Sequence, residues 1–360
     1  MGTNMSARRN IMLLMAALSV LLSAACTEIV GPGDDGWTEL GGDRPVNFSS
    51  SLATTATKTT SSLNNGTTFG VFAFYQPGTS GAPGSWNPST RTPNFMFNQP
   101  VLFELTDSYT YTPVRYWPSN EYNTISFWAY CPYNANPDLL AQGTTNAYTN
   151  TSAGIPDIRF TTDGLIDLMV TDVVESQTYT SNATNNGVVP LTFNHVLSRI
   201  DVKAEKVDSD NKYTVTLKFV SFKGLYTTAI LKSSDWSCEC SGSRQDLAIW
   251  AEDPGRVLTH ASPTLLKSVY HLPQSLSNDA SRLSVEYSVS YYENPLDDST
   301  LVSYSTTREA YLRDVFYSMG TAWTKNSHYT LTLRITPGNP IQFIVSWDSW
   351  GTDYNYNLSS

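Results

Sequence analysis

The chain has 360 residues and a formal net charge of −10, and only 15% of its residues are charged. An acidic, lysine-poor surface argues against nucleic acid and anionic membranes as partners. The hydrophobic fraction of 40% is sufficient for packed cores. Tyrosine, tryptophan and threonine are abundant, and because such side chains fit pleated surfaces, the composition favours strands.

Residues 1–25 have the layout of a secretory signal. Arg8 and Arg9 form a basic start, and residues 11–22 are almost entirely apolar. This stretch is too short and wrongly flanked for a stable membrane span. Loss of the two arginines with the signal changes the net charge from −10 to −12.

Cys26 directly follows the small residues that end the signal. A cysteine at this place indicates lipoprotein processing, in which the thiol receives a diacylglyceryl group and acyl chains such as palmitate are added. Several chains on one residue give stable anchoring. Ser23 departs from the usual pattern, which has Leu, Val or Ile three places before the cysteine. The alternative is an ordinary cleaved signal; the prediction is an envelope lipoprotein held in lipid through Cys26.

The mature chain begins with a polar segment and continues as a series of short strands. Residues 26–45 are rich in Gly, Asp and Glu and are predicted to form a flexible tether. Val46 and Phe48 then alternate with polar residues as a short strand candidate. From Phe69 onward, strand-like runs are separated by Gly, Pro, Asn and Asp. The predicted strands are 69–75, 101–105, 125–130, 168–173, 191–193, 200–204, 213–219, 283–291, 329–335 and 341–347.

Helical periodicity is weak everywhere. Only 265–270 and 308–317 are candidates for short helical turns. Many short strands without helices between them predict an all-β fold of antiparallel β-sandwiches. The polar segment 179–187 is the best boundary, so we expect an N-terminal sandwich at 46–187 and a C-terminal one at 188–360.

The C-terminal domain is predicted to end in a hairpin. After a turn at 348–351, one face of the last segment carries Thr352, Tyr354, Tyr356 and Leu358. A hairpin with one apolar face can insert into a groove on a neighbouring chain, or it can complete its own sandwich. Both readings stay open, because a period of two indicates burial without naming the partner.

The polar residues give no signature of catalysis. His195 lies in a strand-like run and is expected to be packed and hydrogen-bonded, since a nucleophile–base pair needs partners that the sequence does not place. His260, His271 and His328 lack ligand spacing. No glycosidase carboxylate pair can be identified.

The sequence also shows no metal site. Cys238 and Cys240 place both sulfurs on one strand face, but tetrahedral zinc needs two further ligands. A free or disulfide-linked pair is expected, with Cys131 as a further candidate partner. Glu293, Asp297 and Asp298 lack the spacing of an EF-hand. We therefore predict a protein with no catalytic residue, metal or cofactor.

Several motifs in their order along the chain carry a family resemblance. They are Phe69–Tyr75, Tyr116-Trp117-Pro118, Ile125–Tyr130, Asp167–Val170, Leu191–Ile200, Trp323–Leu331, Ile341–Phe343 and Trp350-Gly351. Behind a lipoprotein signal, this series resembles the fimbrillin family of Bacteroidetes, the subunits of type V pili. The likeness runs from about Val46 to the C-terminus.

The resemblance implies two transthyretin-like β-sandwich domains and a lipoprotein precursor delivered to the outer membrane. It also implies that an arginine-specific protease removes the first strand and that a strand of a neighbouring subunit replaces it. Deleting an edge strand exposes unpaired backbone groups beside an apolar groove, and another chain can satisfy them by strand addition.

Val46 and Phe48 would form the removable first strand. A cut after Arg44 would leave that strand behind, and Arg–Pro bonds resist trypsin-like proteases. A cut between Lys58 and Thr59 would remove it. Lys58 stands where the family usually has arginine, so a Lys-tolerant protease and no cleavage at all both remain open.

These features predict an adhesive subunit of surface fimbriae on the outer membrane, with other fimbrial subunits and surface ligands of host or bacterial cells as partners. The alternative is a monomeric surface lipoprotein that binds glycans or a host protein. It depends on aromatic rings of the N-terminal half, which would stack on sugars if exposed or fill the core if buried. They are Tyr109, Tyr111, Tyr116, Trp117, Trp128 and Tyr130.

Overall fold

Both the alternating and the uniformly apolar runs form strands in the computed structural model. It describes residues 44–53, 63–104, 108–136, 139–143, 146–209, 212–260, 262–336 and 340–349. These residues all belong to one unit, Gly41–Ser360. Within them, no helix has the length and apolarity needed to cross a membrane.

Strands dominate the described part of the chain, and the one α-helix there has a single turn. The strands are β1 Asn47–Leu52, β2 Thr68–Gln76, β3 Met96–Glu104, β4 Ser108–Thr110, β5 Thr124–Cys131, β6 Leu140–Gln142, β7 Asn146–Ala147, β8 Asp157–Thr161, β9 Met169–Thr171, β10 Val174–Gln177, β11 Val188–His195, β12 Ser198–Lys206, β13 Tyr213–Leu231, β14 Cys238–Val257, β15 Thr264–His271, β16 Gln274–Ser275, β17 Arg282–Tyr292, β18 Leu301–Tyr311, β19 Ala322–Trp323, β20 Ser327–Ile335 and β21 Gln342–Ser349. Helix α1 is Leu312–Val315, and 3₁₀ turns lie at Thr180–Asn185, Asp298–Thr300 and Tyr317–Met319.

The first sheet has the order β1-β11-β9-β5-β2-β3-β4, with β10 also paired to β5. β1 and β11 run parallel, whereas the other pairs are antiparallel. β2 and β5 are covered on both faces, so nearly all their side chains are buried. This explains their continuous apolar runs, since a strand with one solvated face would alternate.

A long hairpin forms the centre of the second large sheet. β14 pairs with β13 along almost its whole length, from Thr216↔Val257 to Leu231↔Cys238. The opposite edge of β13 is shared by β17 over 213–223 and by β8 over 228–231. The sheet continues from β17 to β18 and from β8 to β6 and β7.

The two ends of this hairpin enter different hydrophobic cores. Toward its open end, β13 and β17 face a sheet of order β15-β12-β20-β21, and the core between them includes Val215, Val285 and Leu331. Toward its turn, Ala229 and Leu231 join the side chains of β8, β2 and β5 in a second core. The described residues therefore form stacked sheets around apolar layers, and the predicted all-β sandwich class is confirmed.

Of the two segments predicted to carry a short helical turn, one does and one does not. Segment 265–270 is not helical but forms most of β15, which pairs antiparallel with β12. Segment 308–317 carries the predicted short helical turn as α1, which follows the end of β18 at Tyr311. Strand pairing outweighed a weak helical pattern at 265–270, because intrinsic propensities amount to a few tenths of a kcal/mol per residue.

The division at residue 187 stays a prediction, as does the transthyretin-like detail. β11 begins at Val188 and pairs with β1 and β9 of the first sheet. β8 lies before the predicted boundary and pairs with β13 of the second sheet. Strands from both sides of residue 187 thus contribute to each large sheet.

Candidate assembly site

Backbone hydrogen bonds hold β1 along one edge, and further bonds hold the residues just before it on the other side. On one side, β1 lies parallel to β11, with Asn47 opposite Val188 and Leu52 opposite Phe193. On the other side, the N–H of Val46 donates to the carbonyl of Arg115 over 2.8 Å. β1 is the edge strand of its sheet, and residues 44–52 lie in a slot between β11 and residues 109–117.

The side chains of Val46 and Phe48 fill the slot, as the period-two pattern predicted. Both are buried. The ring of Phe48 lies 6.3 Å from that of Phe69, 5.8 Å from that of Tyr111 and 5.9 Å from that of Phe127, between ring centroids. Tilted and edge-to-face packing of this kind adds to the free energy gained by burying the area alone.

Two tyrosine hydroxyls complete the contacts of β1. The hydroxyl of Tyr111 donates to the carbonyl of Val46 over 2.7 Å. The N–H of Ser50 donates to the hydroxyl of Tyr109 over 2.9 Å. Burial raises the pKa of Tyr111 to about 12, so this hydroxyl keeps its proton and remains a donor at neutral pH.

The role of these tyrosines was missed from the sequence, which offered them only as sugar-stacking candidates. Their alternation around Thr110 was the available signal, because it places Tyr109 and Tyr111 on one face. Of the other candidates, Trp117, Trp128 and Tyr130 have almost no exposed surface. Their rings fill the interior and cannot stack on a sugar.

The remaining predicted site residues lie outside the described residues. They are Cys26, Lys58, Thr59, Thr352, Tyr354, Tyr356 and Leu358. The first strand of the predicted terminal hairpin is described. It is β21, which pairs antiparallel with β20. Phe343 and Val345 pack against the core that contains Val215, Val285 and Leu331, whereas Trp347 is largely exposed. β21 thus completes its own sandwich.

The histidines lie in separate environments. His195 is buried, and its Nδ1 lies 3.1 Å from Oδ1 of Asp167, which confirms a packed, hydrogen-bonded histidine. His271 is fully buried, and burial lowers its pKa to about 4. Nδ1 of His271 lies 3.0 Å from Nε2 of Gln274. In the described chain, no group of three or more His, Cys, Asp or Glu side chains could hold a metal.

His328 belongs to a buried ionic cluster on β12 and β20. The guanidinium of Arg199 donates to both carboxylate oxygens of Asp201, over 2.9 and 3.0 Å. Nε2 of His328 lies 3.0 Å from Oδ2 of the same carboxylate. Burial alone would raise the pKa of Asp201, but hydrogen bonds from His328 and Ser268 and the Arg199 charge together lower it to about 2.

Comparisons with known proteins agree with the fold. The fimbrium subunit Fim1C of Phocaeicola vulgatus is 27% identical to this chain over an alignment of 390 residues. The alignment covers 96% of this chain and 99% of that protein. A crystal structure of a fimbrial protein from Bacteroides vulgatus has a TM-score of 0.62 at 19% identity, covering 86% of this chain and all of that one. A candidate cell adhesion protein from Bacteroides uniformis has a TM-score of 0.53 at 15% identity, with 86% and 100% coverage.

At 19% and 15% identity, the two solved structures show that the fold is similar and nothing further. The family comparison reaches further, because the model described as fimbrillin-like matches residues 54–350, well over half of the sequence. Proteins of this kind are structural subunits that assemble into fimbriae at the cell surface, and they are not an enzyme family. The chain belongs to the fimbrillin-like family of fimbrial subunits.

Proposed function

We propose that this chain is exported as a lipoprotein through Cys26, reaches the outer membrane, and joins a fimbrium by donor-strand exchange after a cut between Lys58 and Thr59. The observation that supports this most is the slot around β1. Val46 and Phe48 fill it, and the residues on either side bond to the β1 backbone.

Removal of β1 and the residues before it would leave unpaired polar groups and exposed aromatic rings in that slot. The backbone groups of β11 that pair with β1 would lose their partners, while the hydroxyl of Tyr111 would lose the carbonyl of Val46 and keep only its bonds to the backbone of Arg115. A buried polar group without a partner costs about 1–3 kcal/mol. The rings around Phe48 would also face water. A strand from another chain removes both penalties by supplying backbone groups and an apolar side chain.

The C-terminal segment is the proposed donor. Val46 and Phe48 are two residues apart, and so are Tyr354, Tyr356 and Leu358. Side chains at this spacing enter one face of a strand, so the donor can set its register against the same slot. β21 leads directly into this segment and keeps its own place in the C-terminal sandwich.

The test combines the mature N-terminus with assembly on cells. We expect surface fimbriae to contain chains that begin at Thr59 and to form an SDS-resistant ladder. Lys58→Gln should abolish the new N-terminus and the ladder, while Lys267→Gln, which changes an exposed lysine on β15, should alter neither. Deletion of residues 352–360 should leave cleavage intact and abolish the ladder.

A different outcome would favour a monomeric surface lipoprotein that binds glycans or a host protein. If the cell-surface chain keeps an acylated Cys26 and an intact Lys58, and migrates as a monomer, strand exchange after cleavage is wrong. A ladder that persists without residues 352–360 would instead retain polymerisation and reject the proposed donor.

A further inference from the structure

A pair of thiols lies at the start of β14, far in sequence from the slot around β1. Cys238 and Cys240 point to the same face of the strand, as predicted, and their Sγ atoms are 3.1 Å apart. Both thiols are free and half-buried, at the edge of the core near Trp236. Two sulfurs this close can react with each other, and closing a disulfide between residues two apart on a strand also requires a local bend of the backbone that draws the two Cβ atoms together.

The two thiols differ in acidity. The hydrogen bond from Cys238 lowers the pKa of Cys240, and although burial opposes this, the charge of Arg244 lowers it further. The pKa of Cys238 is raised, first by the same hydrogen bond and then by burial. One proton therefore stays on Cys238, while Cys240 is the sulfur that more readily becomes a thiolate. The thiolate is the reactive form in thiol–disulfide exchange.

The third described cysteine shows what an unreactive thiol looks like in this fold. Cys131 lies at the end of β5 with 2% of its surface exposed. Burial, with a smaller contribution from the charge of Asp167, raises its pKa to about 12. A thiol that is both hidden and protonated reacts slowly, so Cys131 is a matched control for the pair.

We propose that Cys238 and Cys240 form a redox-active dithiol that an external disulfide converts into a disulfide within β14. The Cys240 thiolate attacks one sulfur of the external disulfide, and the other sulfur leaves as a thiolate. Cys238 then gives up its proton to solvent and attacks Sγ of Cys240, which releases the second external sulfur. The protein loses two electrons and two protons, and the external disulfide is reduced to two thiols.

The position of the pair suits this exchange. Cys238 lies opposite Leu231 and Cys240 opposite Ala229, beside the turn of the β13–β14 hairpin. β14 has β13 on one side and no partner strand on the other within the described sheets. Both thiols are partly exposed, so an external disulfide can approach the pair without the loss of any strand pairing. Compartments outside the cytoplasm allow disulfides to persist.

The experiment uses the full chain and glutathione disulfide as oxidant. After oxidation, free thiols are alkylated without prior reduction, and the tryptic peptide 233–244, which contains both cysteines, is weighed. We expect it to carry no alkyl group and to be lighter than the dithiol peptide by two hydrogens. Reduction before alkylation should restore both alkylation sites, and Cys131→Ser should give the same result as the original sequence.

Two further variants assign the roles of the sulfurs. Cys238→Ser should trap glutathione as a stable mixed disulfide on Cys240. Cys240→Ser should react several-fold more slowly, because the Arg244 charge favours a thiolate at Cys240 and is not among the groups that act on Cys238. Full alkylation of both cysteines after oxidation would overturn the proposal. So would a disulfide that links two chains, or equal reactivity of the two serine variants with unchanged circular dichroism.

Discussion

Replacing Phe48 with alanine tests whether the β1 side chains hold this strand in its slot. The ring is 2% exposed and touches the rings of Phe69, Tyr111 and Phe127. Two of the surrounding rings, Phe69 and Phe127, are themselves held by other aromatic contacts, so they cannot easily collapse into the space that the variant leaves.

The expected loss of stability follows from this packing. Truncation of a buried phenylalanine to alanine costs about 3–5 kcal/mol when the cavity stays open. With an m-value of about 3 kcal/mol per molar urea, the unfolding midpoint should fall by about 1–2 M. Ser49→Ala is the matched control, because Ser49 is the next residue of β1 and is only partly buried. Its effect should stay within about 0.5 kcal/mol.

The assay is urea unfolding of the uncleaved chain, followed by tryptophan fluorescence and by far-UV circular dichroism. Equal midpoints for Phe48→Ala and Ser49→Ala would refute the reasoning, since β1 would then be held by its backbone alone. A chain that begins at Thr59 lacks both residues. It should match or fall below the alanine variant in stability, and a higher midpoint would show that the occupied slot does not stabilise the fold.

The remaining predictions concern pH and backbone packing. The pKa of Asp201 is lowered in the fold to about 2, so its carboxylate contributes stability that is present above about pH 4 and is lost as the pH falls toward 2. Melting temperatures measured across this range should show the loss, and the Asp201→Asn variant should not show it. His271 has a folded pKa of about 4, below its usual value, so the neutral ring favours folding and stability should fall between about pH 6.5 and 4. A His271→Gln variant whose melting temperature keeps that slope would contradict this assignment. Gly84→Ala would drive a Cβ atom into the carbonyl oxygen of Gln76, and the resulting shift of backbone should lower the unfolding free energy by about 1–3 kcal/mol, measured by urea titration.

Much of the strand content was predictable because burial leaves a simple pattern. The apolar runs at 69–75 and 125–130 lie within β2 and β5, and the alternation at 341–347 corresponds closely to β21. β14 was missed, although it has 20 residues. It is largely exposed and contains Pro254, so neither apolar periodicity nor strand propensity identifies it. Its pairing with β13 comes from the hairpin.

The candidate site was predictable in part for the same reason. Val46 and Phe48 show their burial through spacing, whereas the parallel pairing of β1 with β11 joins residues more than a hundred positions apart. Local sequence carries no record of such a partner. The bonds from Tyr109 and Tyr111 to β1 likewise depend on how the chain returns to that edge.

The long β13–β14 hairpin has a mechanical consequence. β13 has 19 residues and measures roughly 60 Å at the usual rise of a strand, and its two ends belong to different cores. A force that separates these cores acts along the strand, so the hydrogen bonds of the ladder are sheared together rather than opened one at a time. A filament subunit built in this way resists tension through backbone that runs continuously across its interior.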